Sequence, residues 1–378
     1  MKKAKKIRVG VLLGGRSAEH EVSIVSARSV MAALDKKKYE VIPIGISKEG
    51  HWLVGERVVN LLESGTKIPR QLAQILPADP MVKSLVPLVR SSKREAKGTE
   101  IDVIFPVLHG TFGEDGTVQG LLELANIPYV GAGVLGSAVG MDKIVQKMIF
   151  QANHLPTPDF VYTTSHYYKR AAIKFHKQVG ARIGYPCFVK PPNLGSSVGI
   201  SKAHNQTELV KAIKLALQYD RRVIVEQGIE QAWEIECAVL GNEAPKASIA
   251  GRVITSNEFY DYDAKYVDGK SQLVIPAPLP KEVMAKVRNL AAQAFTTLDL
   301  AGMARVDFLV QPRKWKIYLS EVNTIPGFTS ISMYPKLWSA SGLPYPKLLD
   351  ELIKLALERF KIKSRLTISY QPKSLWYR

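Results

Sequence analysis

Apolar positions along the chain recur first with a mixture of strand and helix spacing and later mostly with strand spacing. In the first third, short apolar runs at Ile7–Leu13, Glu40–Ile46, Asp102–Pro106 and Ile127–Val130 read as strands. Helical spacing falls at Val22–Leu34 and Thr117–Ala125. Strands alternating with helices predict an α/β domain with a parallel sheet. Ligands of such sheets gather at the loops after strand carboxyl ends. Two polar, glycine-bearing loops lie there, Gly14–Ser23 (GGRSAEHEVS) and Leu108–Gly116 (LHGTFGEDG). Residues 64–100 are polar and poorly patterned and read as an excursion.

Beyond this third, a helix over Ser137–Gln151 runs into the proline-marked break LPTPDF. Strand-like runs follow at Pro186–Lys190, Val198–Lys202, Val223–Gln227, Glu234–Leu240 and Ala247–Val253, with a helix at Gln206–Leu217 among them. A polar loop at Ser256–Ser271, a helix near Lys281–Leu298, a hairpin over Arg305–Val322 and a closing helix at Tyr345–Lys361 complete the chain, ahead of a basic tail. The pattern predicts an α/β domain over residues 1–140, then two α+β units over 141–230 and 231–361, with 362–378 as the tail. There is no internal repeat.

Composition narrows the function classes. An apolar content of 46% with 23% charged residues is that of a packed globular chain. No apolar run reaches the roughly 18 residues of a membrane helix, and the amino-terminal apolar stretch is too short and too soon followed by charge for a secretory signal. The net charge of +18 could steer nucleic acid or an anionic small molecule such as ATP, whereas solvated lysines on a basic cytosolic protein are the plainer account. The charge is scattered, however, without a basic, aromatic-interleaved stripe, and so argues against nucleic acid. Cys187 and Cys237 sit in apolar runs without metal or redox spacing, as in a reducing, cytoplasmic compartment.

Four segments carry candidate chemistry. Gly131-Ala-Gly133-Val-Leu-Gly136 has the dinucleotide-site spacing, but it closes a domain instead of opening one and lacks a following ribose-binding acid, so a packing turn is the preferred reading. Lys190-Pro-Pro-Asn-Leu-Gly195-Ser196-Ser197-Val198-Gly199 ends a strand on a lysine and offers glycines and hydroxyls to phosphate oxygens; a plain glycine-serine turn is the alternative. On the hairpin, residues two apart share a face. A turn near Lys314 would set Asp307 opposite Glu321, leaving Val306, Phe308, Leu319 and Val322 for the core. Two carboxylates with the Asn323 carboxamide suit a hard cation such as Mg²⁺, whereas a solvated face paired with Arg305 is the plainer reading. The loop Tyr260–Tyr266 is either a surface excursion or a lid.

Together the stretches LLGGRSAEHEVS, LHGTFGEDGTVQG, GMDK, FVKPPNLGSSVG, DYDAKY, ARVDFLV and EVNTIPGFTSIS resemble, in order and spacing over about residues 7–360, the D-alanine–D-alanine ligases of the ATP-grasp superfamily. The resemblance implies a two-part ATP-grasp fold behind the amino-terminal domain, a homodimer, and ATP-dependent formation of D-alanyl-D-alanine through a D-alanyl phosphate for peptidoglycan precursors. It implies ATP phosphates on Lys143 and Lys190 under a loop of Ser196, Ser197 and Val198, adenine at Glu226 and ribose at Glu234. Magnesium or manganese, as two ions, falls to Asp307, Glu321 and Asn323. By the same resemblance Glu19 holds the first ammonium and orients Ser196 and Tyr266, and His109 meets the first carboxylate. Arg305 and the Gly327 N–H stabilise the oxyanion, while Lys265, Ser332 and the Met333 backbone surround the second substrate. Met333 stands where many relatives carry leucine. A D-alanine–D-lactate ligase is the rival enzyme, against which Tyr266 argues. A catalytically silent ATP-grasp nucleotide-binding protein is the rival from another class.

Overall fold

The computed structural model describes residues 5–65, 69, 72–88, 98–195, 197–254, 272–329 and 331–370. Its first sheet holds β1 (Ile7–Gly14), β2 (Tyr39–Ile46), β3 (Trp52–Val54), β4 (Gln74–Ile75), β5 (Ser84–Pro87), β6 (Thr99–Glu100) and β7 (Val103–Pro106), in the order β6-β5-β4-β3-β2-β1-β7. β1 pairs in parallel with β2 and β7, with helix α1 (His20–Ala33) crossing between β1 and β2. From β3 to β6 the pairing is antiparallel. The expected parallel sheet is therefore confined to β2, β1 and β7, at one end of the sheet. The supposed excursion at 64–100 supplies β4, β5 and β6, strands too short to show a period of two. Ile127–Val130 forms no strand, only one parallel bridge from Tyr129 to Ile104; Pro128 has no N–H to extend a ladder. Helices α2 (Val58–Glu63) and α3 (Thr117–Leu124) complete this layer.

The expected helix over Ser137–Gln151 is two helices, α4 (Val134–Met141) and α5 (Lys143–Ala152). Asp142 between them is extended, and its carboxylate accepts from the N–H groups of Ile144 and Val145, so it caps α5 and places Lys143 at the head of that helix. Arg222 pairs with the other Asp142 oxygen.

A second, antiparallel sheet joins β8 (Phe160–Thr164), β9 (Cys187–Lys190), β10 (Ser201–Ala203) and β11 (Arg222–Gln227) in the order β10-β9-β11-β8. Helices α6 (Ser165–Arg182) and α7 (Gln206–Ala216) cover it through Phe175, Val179, Leu209 and Ile213. α6 escapes the apolar pattern because only Tyr168, Phe175 and Val179 of its residues are buried.

The third sheet runs β14-β13-β12-β15-β16, from β12 (Trp233–Gly241), β13 (Lys246–Ile254), β14 (Gln272–Val274), β15 (Gly302–Gln311) and β16 (Lys316–Asn323). Helix α8 (Lys281–Thr297) packs on one face. On the other face α9 (Met333–Ala340) and α10 (Tyr345–Lys363) share one continuous core with the first sheet, joining Leu348 and Leu352 to Val11 and Phe105. Asp350 on α10 ties down Lys38 and Tyr39 at 2.6 and 3.0 Å. This shared core holds the loops of the first sheet above the end of the third. The glycines at 131–136 serve it too: a Cβ on Gly302 would lie 2.9 Å from the Gly131 nitrogen, and one on Gly136 would lie 2.5 Å from the Asp299 oxygen. They are a close-packing turn. No helix among the described residues is long and apolar enough to cross a membrane.

Candidate functional site

The hairpin forms as its alternation predicts. β15 and β16 pair with Asp307 opposite Glu321 and Arg305 opposite Asn323, while Val306, Phe308, Leu319 and Val322 are buried on the other face. The register then shifts, so that Phe308 faces Leu319 and Ser320 is the extra residue of a bulge. β12 lies on the other side of β15 with Glu236 opposite Asp307. Three carboxylates, Glu236, Asp307 and Glu321, thus stand in one line across three strands, where neighbours are spaced about 4.8 Å.

Like charges directly opposite one another destabilise a sheet, and two cations offset them. Arg305 binds Asp307 with Nε to Oδ1 and a terminal nitrogen to Oδ2, both at 2.7 Å, and its Nε lies 3.1 Å from Glu236. Burial would lower the Arg305 guanidinium, but Asp307 and Glu236 hold it well above its usual range. Lys143 lies 3.1 Å from Glu321 and donates to the Leu194 carbonyl at 2.9 Å. The Asn323 amide donates to Asp307 at 2.9 Å. Among the described residues no three His, Cys, Asp or Glu side chains converge as a metal cage. Two carboxylates and a carboxamide on one face instead fit a hard cation that also takes ligand oxygens. The anionic excess of this strip, met here by Lys143 and Arg305, has the sign such a cation requires.

Beside the strip opens a cavity of about 490 Å³ between the second and third sheets. Lys190, Ser197, Glu226, Glu234, Glu236, Arg305, Asp307 and Glu321 all line it. Within it Lys190 donates to Glu226 at 2.9 Å. Burial alone would raise the Glu226 carboxyl, yet Lys147 and Lys190 together hold it below the carboxylate range. Val198 closes a turn back to Gly195, its N–H 3.2 Å from that carbonyl, and Ser197 takes a positive φ of 60°. A mixed cavity of this size with a few placed charges suits a cofactor-sized ligand.

A second group of residues meets at the end of the glycine loop. Glu19, immediately before α1, is buried, and a Cβ on Gly195 or Gly110 would come within 2.6 or 2.9 Å of its Oε2. The two glycines are thus needed for the backbone to approach this carboxylate. His109 is buried with Nδ1 3.1 Å from the Ile325 carbonyl, while its Nε2 has no partner. Burial pushes the imidazole pKa down, against the pull of Glu19, so the neutral ring carries its proton on Nδ1. Gly327 closes against Ser332, whose hydroxyl would lie 2.8 Å from a Cβ there. That hydroxyl also accepts the Thr329 N–H at 3.0 Å. Met333 is buried at the head of α9, its Sδ 2.9 Å from where a Cβ on Gly251 would lie. Ser196, Lys265 and Tyr266 lie outside the described residues, as does the loop read as either excursion or lid.

Sequence reasoning missed three members. Glu236 is one, two residues after Glu234. Glu114 is another: it accepts the Gly110 N–H at 2.7 Å and the Ile325 N–H at 3.2 Å, bracing the first-sheet loop against the loop after β16. Lys147 is the third, beneath Glu226.

The family descriptions "D-ala D-ala ligase N-terminus" and "D-ala D-ala ligase C-terminus" match residues 8–132 and 149–354. A D-alanine–D-alanine ligase of Thermoanaerobacter sp. (strain X514) is 54% identical over 362 residues, covering 95% of this chain and 99% of the relative. One from Geobacillus thermodenitrificans is 46% identical over 368 residues, covering 97% and 100%. Among solved structures, the D-alanine–D-alanine ligase from Coxiella burnetii has a TM-score of 0.80 at 38% identity, covering 95% of this chain and 97% of its own. The VanG D-Ala:D-Ser ligase from Enterococcus faecalis has a TM-score of 0.80 at 35% identity, covering 93% and 100%.

Proposed function

The chain belongs to the D-alanine–D-alanine ligase family, and from that premise we infer how its residues divide the work of the reaction. It is an ADP-forming ligase that joins two D-alanine molecules into D-alanyl-D-alanine, a step in peptidoglycan synthesis. In our reading ATP lies in the cavity between the second and third sheets. Its adenine meets Glu226, its ribose Glu234, and its phosphates Lys143, Lys190 and the Ser196–Val198 loop. Asp307, Glu321 and Asn323 would hold Mg²⁺ or Mn²⁺, as two ions, which when bound withdraw charge from the phosphate oxygens.

The first D-alanine would place its ammonium at Glu19 and its carboxylate near His109. One oxygen of that carboxylate attacks the γ-phosphorus, the bond to the bridging oxygen breaks, and ADP departs, leaving a D-alanyl phosphate. The neutral amine of the second D-alanine, positioned by Lys265, Ser332 and the backbone at Met333, attacks the acyl carbon. Negative charge then grows on the carbonyl oxygen, and Arg305 with the Gly327 N–H answers it. The tetrahedral species collapses with loss of phosphate, and the amine proton leaves. Tyr266, oriented with Ser196 by Glu19, completes the acceptor side. A homodimer in the cytoplasm is the assembly and place we assign, with size-exclusion chromatography and light scattering as the check on the dimer.

The observation that carries this reading is the line of Glu236, Asp307 and Glu321, offset by Arg305 and Lys143, at the wall of a nucleotide-sized cavity. The test follows phosphate and dipeptide release from Mg-ATP with D-alanine, with L-alanine, D-serine and D-lactate in parallel arms. Phosphate and D-alanyl-D-alanine in equal amounts, with D-alanine alone as sufficient substrate, is the expected result. Preferential use of D-lactate or D-serine as acceptor would overturn the acceptor assignment. Absence of D-alanine-dependent turnover would overturn the reading as a whole.

A further inference from the structure

Lys147 is only 1% exposed and does not line the nucleotide cavity. It projects from α5 one turn beyond Lys143, into the space beneath β11 and β16. Three oxygens surround its Nζ: the Ser320 carbonyl at 3.0 Å, the Thr157 hydroxyl at 3.1 Å and Glu226 Oε1 at 3.5 Å. An ammonium group has three donors and no acceptor, so this all-oxygen surrounding suits a charged lysine, even though burial outweighs the pull of Glu226 and lowers its pKa.

Glu226 therefore stands between two lysines of different character. Lys147 holds Oε1 from the closed side, and Lys190 holds Oε2 from the cavity at 2.9 Å. Lys190 alone of the two can reach a ligand. When it turns to a phosphate it leaves Glu226, a buried carboxylate whose desolvation is costly unless another cation stays with it. Lys147 is that cation. Ser320, which it also grips, is the bulged residue immediately before Glu321.

We propose that Lys147 is a positioning residue for nucleotide binding: by neutralising Glu226 from beneath, it frees Lys190 for the phosphates and keeps Glu226 fixed for the base. The proposal rests on the reading of the cavity as the ATP site. A lysine beneath the cleft that merely filled space would not depend on the charge of Glu226, and this dependence makes the idea testable.

The experiment measures the Kd of ADP and of a non-hydrolysable ATP analogue, together with the KM of D-alanine, in the full chain carrying Lys147→Met, Lys147→Arg, Glu226→Gln, and Lys147→Met with Glu226→Gln. Lys147→Met should weaken both nucleotides at least tenfold, the triphosphate more, with the D-alanine KM within about twofold of the parent chain. Lys147→Arg should recover most of the loss. In the Glu226→Gln background, Lys147→Met should leave the Kd within twofold, because no carboxylate remains to retain Lys190. A tenfold loss that persists in that background, or a Lys147→Met chain that binds nucleotide as the parent does, would overturn the proposal. If Lys147→Met alone does not fold, the comparison of Glu226→Gln with the double variant decides it, since that pair buries no unmatched acid. A parent chain that turns over D-alanine while binding no nucleotide in this cavity would count against the site reading itself.

Discussion

Asp307 and Glu321 stand directly opposite one another on β15 and β16, yet each is held by a different cation, Asp307 by Arg305 and Glu321 by Lys143. Both counter-ions are residues proposed here to act on the reacting groups, Lys143 on the phosphates and Arg305 on the oxyanion. Asp307→Asn removes one charge from the line while Arg305 keeps Glu236. Stability should change little, whereas the Mg²⁺ concentration for half-maximal turnover should rise upward of about tenfold. A magnesium titration of initial rates, alongside a thermal melt, checks both halves. An unchanged magnesium requirement would remove Asp307 from the proposed ligand set.

Arg305 has a structural task and a proposed chemical one, and two substitutions separate them. Arg305→Ala leaves Glu236 and Asp307 facing each other in a half-closed site, a change of the kind that costs about 3–5 kcal/mol. Turnover should fall by about 10²–10³ as well. Arg305→Lys restores the charge but not the planar two-nitrogen grip on Asp307. Most of the melting temperature should return with lysine, and most of kcat should not. Equal recovery of both would mean that Arg305 acts on the fold alone.

Much of this hairpin was legible in the sequence because strand alternation and one short turn settle which residues face each other. Glu236 was not, since its place beside Asp307 depends on the register of β12 against β15, some way apart in the chain. Lys147 was hidden for another reason. A lysine four residues after Lys143 on a helix looks like a solvated face, and only the packing of α5 under β16 buries it. The split of α4 from α5 at Asp142 similarly turns on a side-chain cap and a distant arginine. The edge strands β4 to β6 carry too few residues to announce themselves, and α6 has too narrow an apolar stripe.

Gly195 tests the link between the glycine loop and Glu19. Its φ is not in the left-handed region, so alanine suits the backbone, but the new Cβ would sit 2.6 Å from Glu19 Oε2. The carboxylate must then move from where the first ammonium is proposed to lie. Displacements near 1 Å in a reacting geometry cost up to about 10²-fold, so Gly195→Ala should raise the D-alanine KM by about tenfold or more. Steady-state kinetics with each substrate varied in turn would show it. Combining it with Glu19→Asp, whose carboxylate sits one carbon further back, should raise the KM less than the two changes multiplied. A Gly195→Ala chain with unaltered D-alanine KM would dissociate Glu19 from substrate binding.

Glu114 makes the fold sensitive to alkali. Burial, reinforced by the negative charge of Glu19, lifts its carboxyl from 4.5 to about 8, against the pull of the N–H groups of Gly110 and Ile325. The unfolded chain releases this proton near 4.5 and the folded chain only near 8, so between those values the native state holds more protons. Stability from this group is complete below about pH 4.5 and is lost as the pH climbs to 8. The melting temperature should therefore decline from pH 5 to pH 8.5. Glu114→Gln cannot titrate, but it turns an N–H toward one of the two backbone N–H groups. Its melting temperature should be lower than that of the parent at pH 5, and its decline toward pH 8.5 should be shallower. Glu19→Gln, which removes the repelling charge, should also flatten the decline, by a smaller amount. Thermal melts across this pH range decide the matter: a slope as steep in Glu114→Gln as in the parent chain would place the alkaline sensitivity elsewhere.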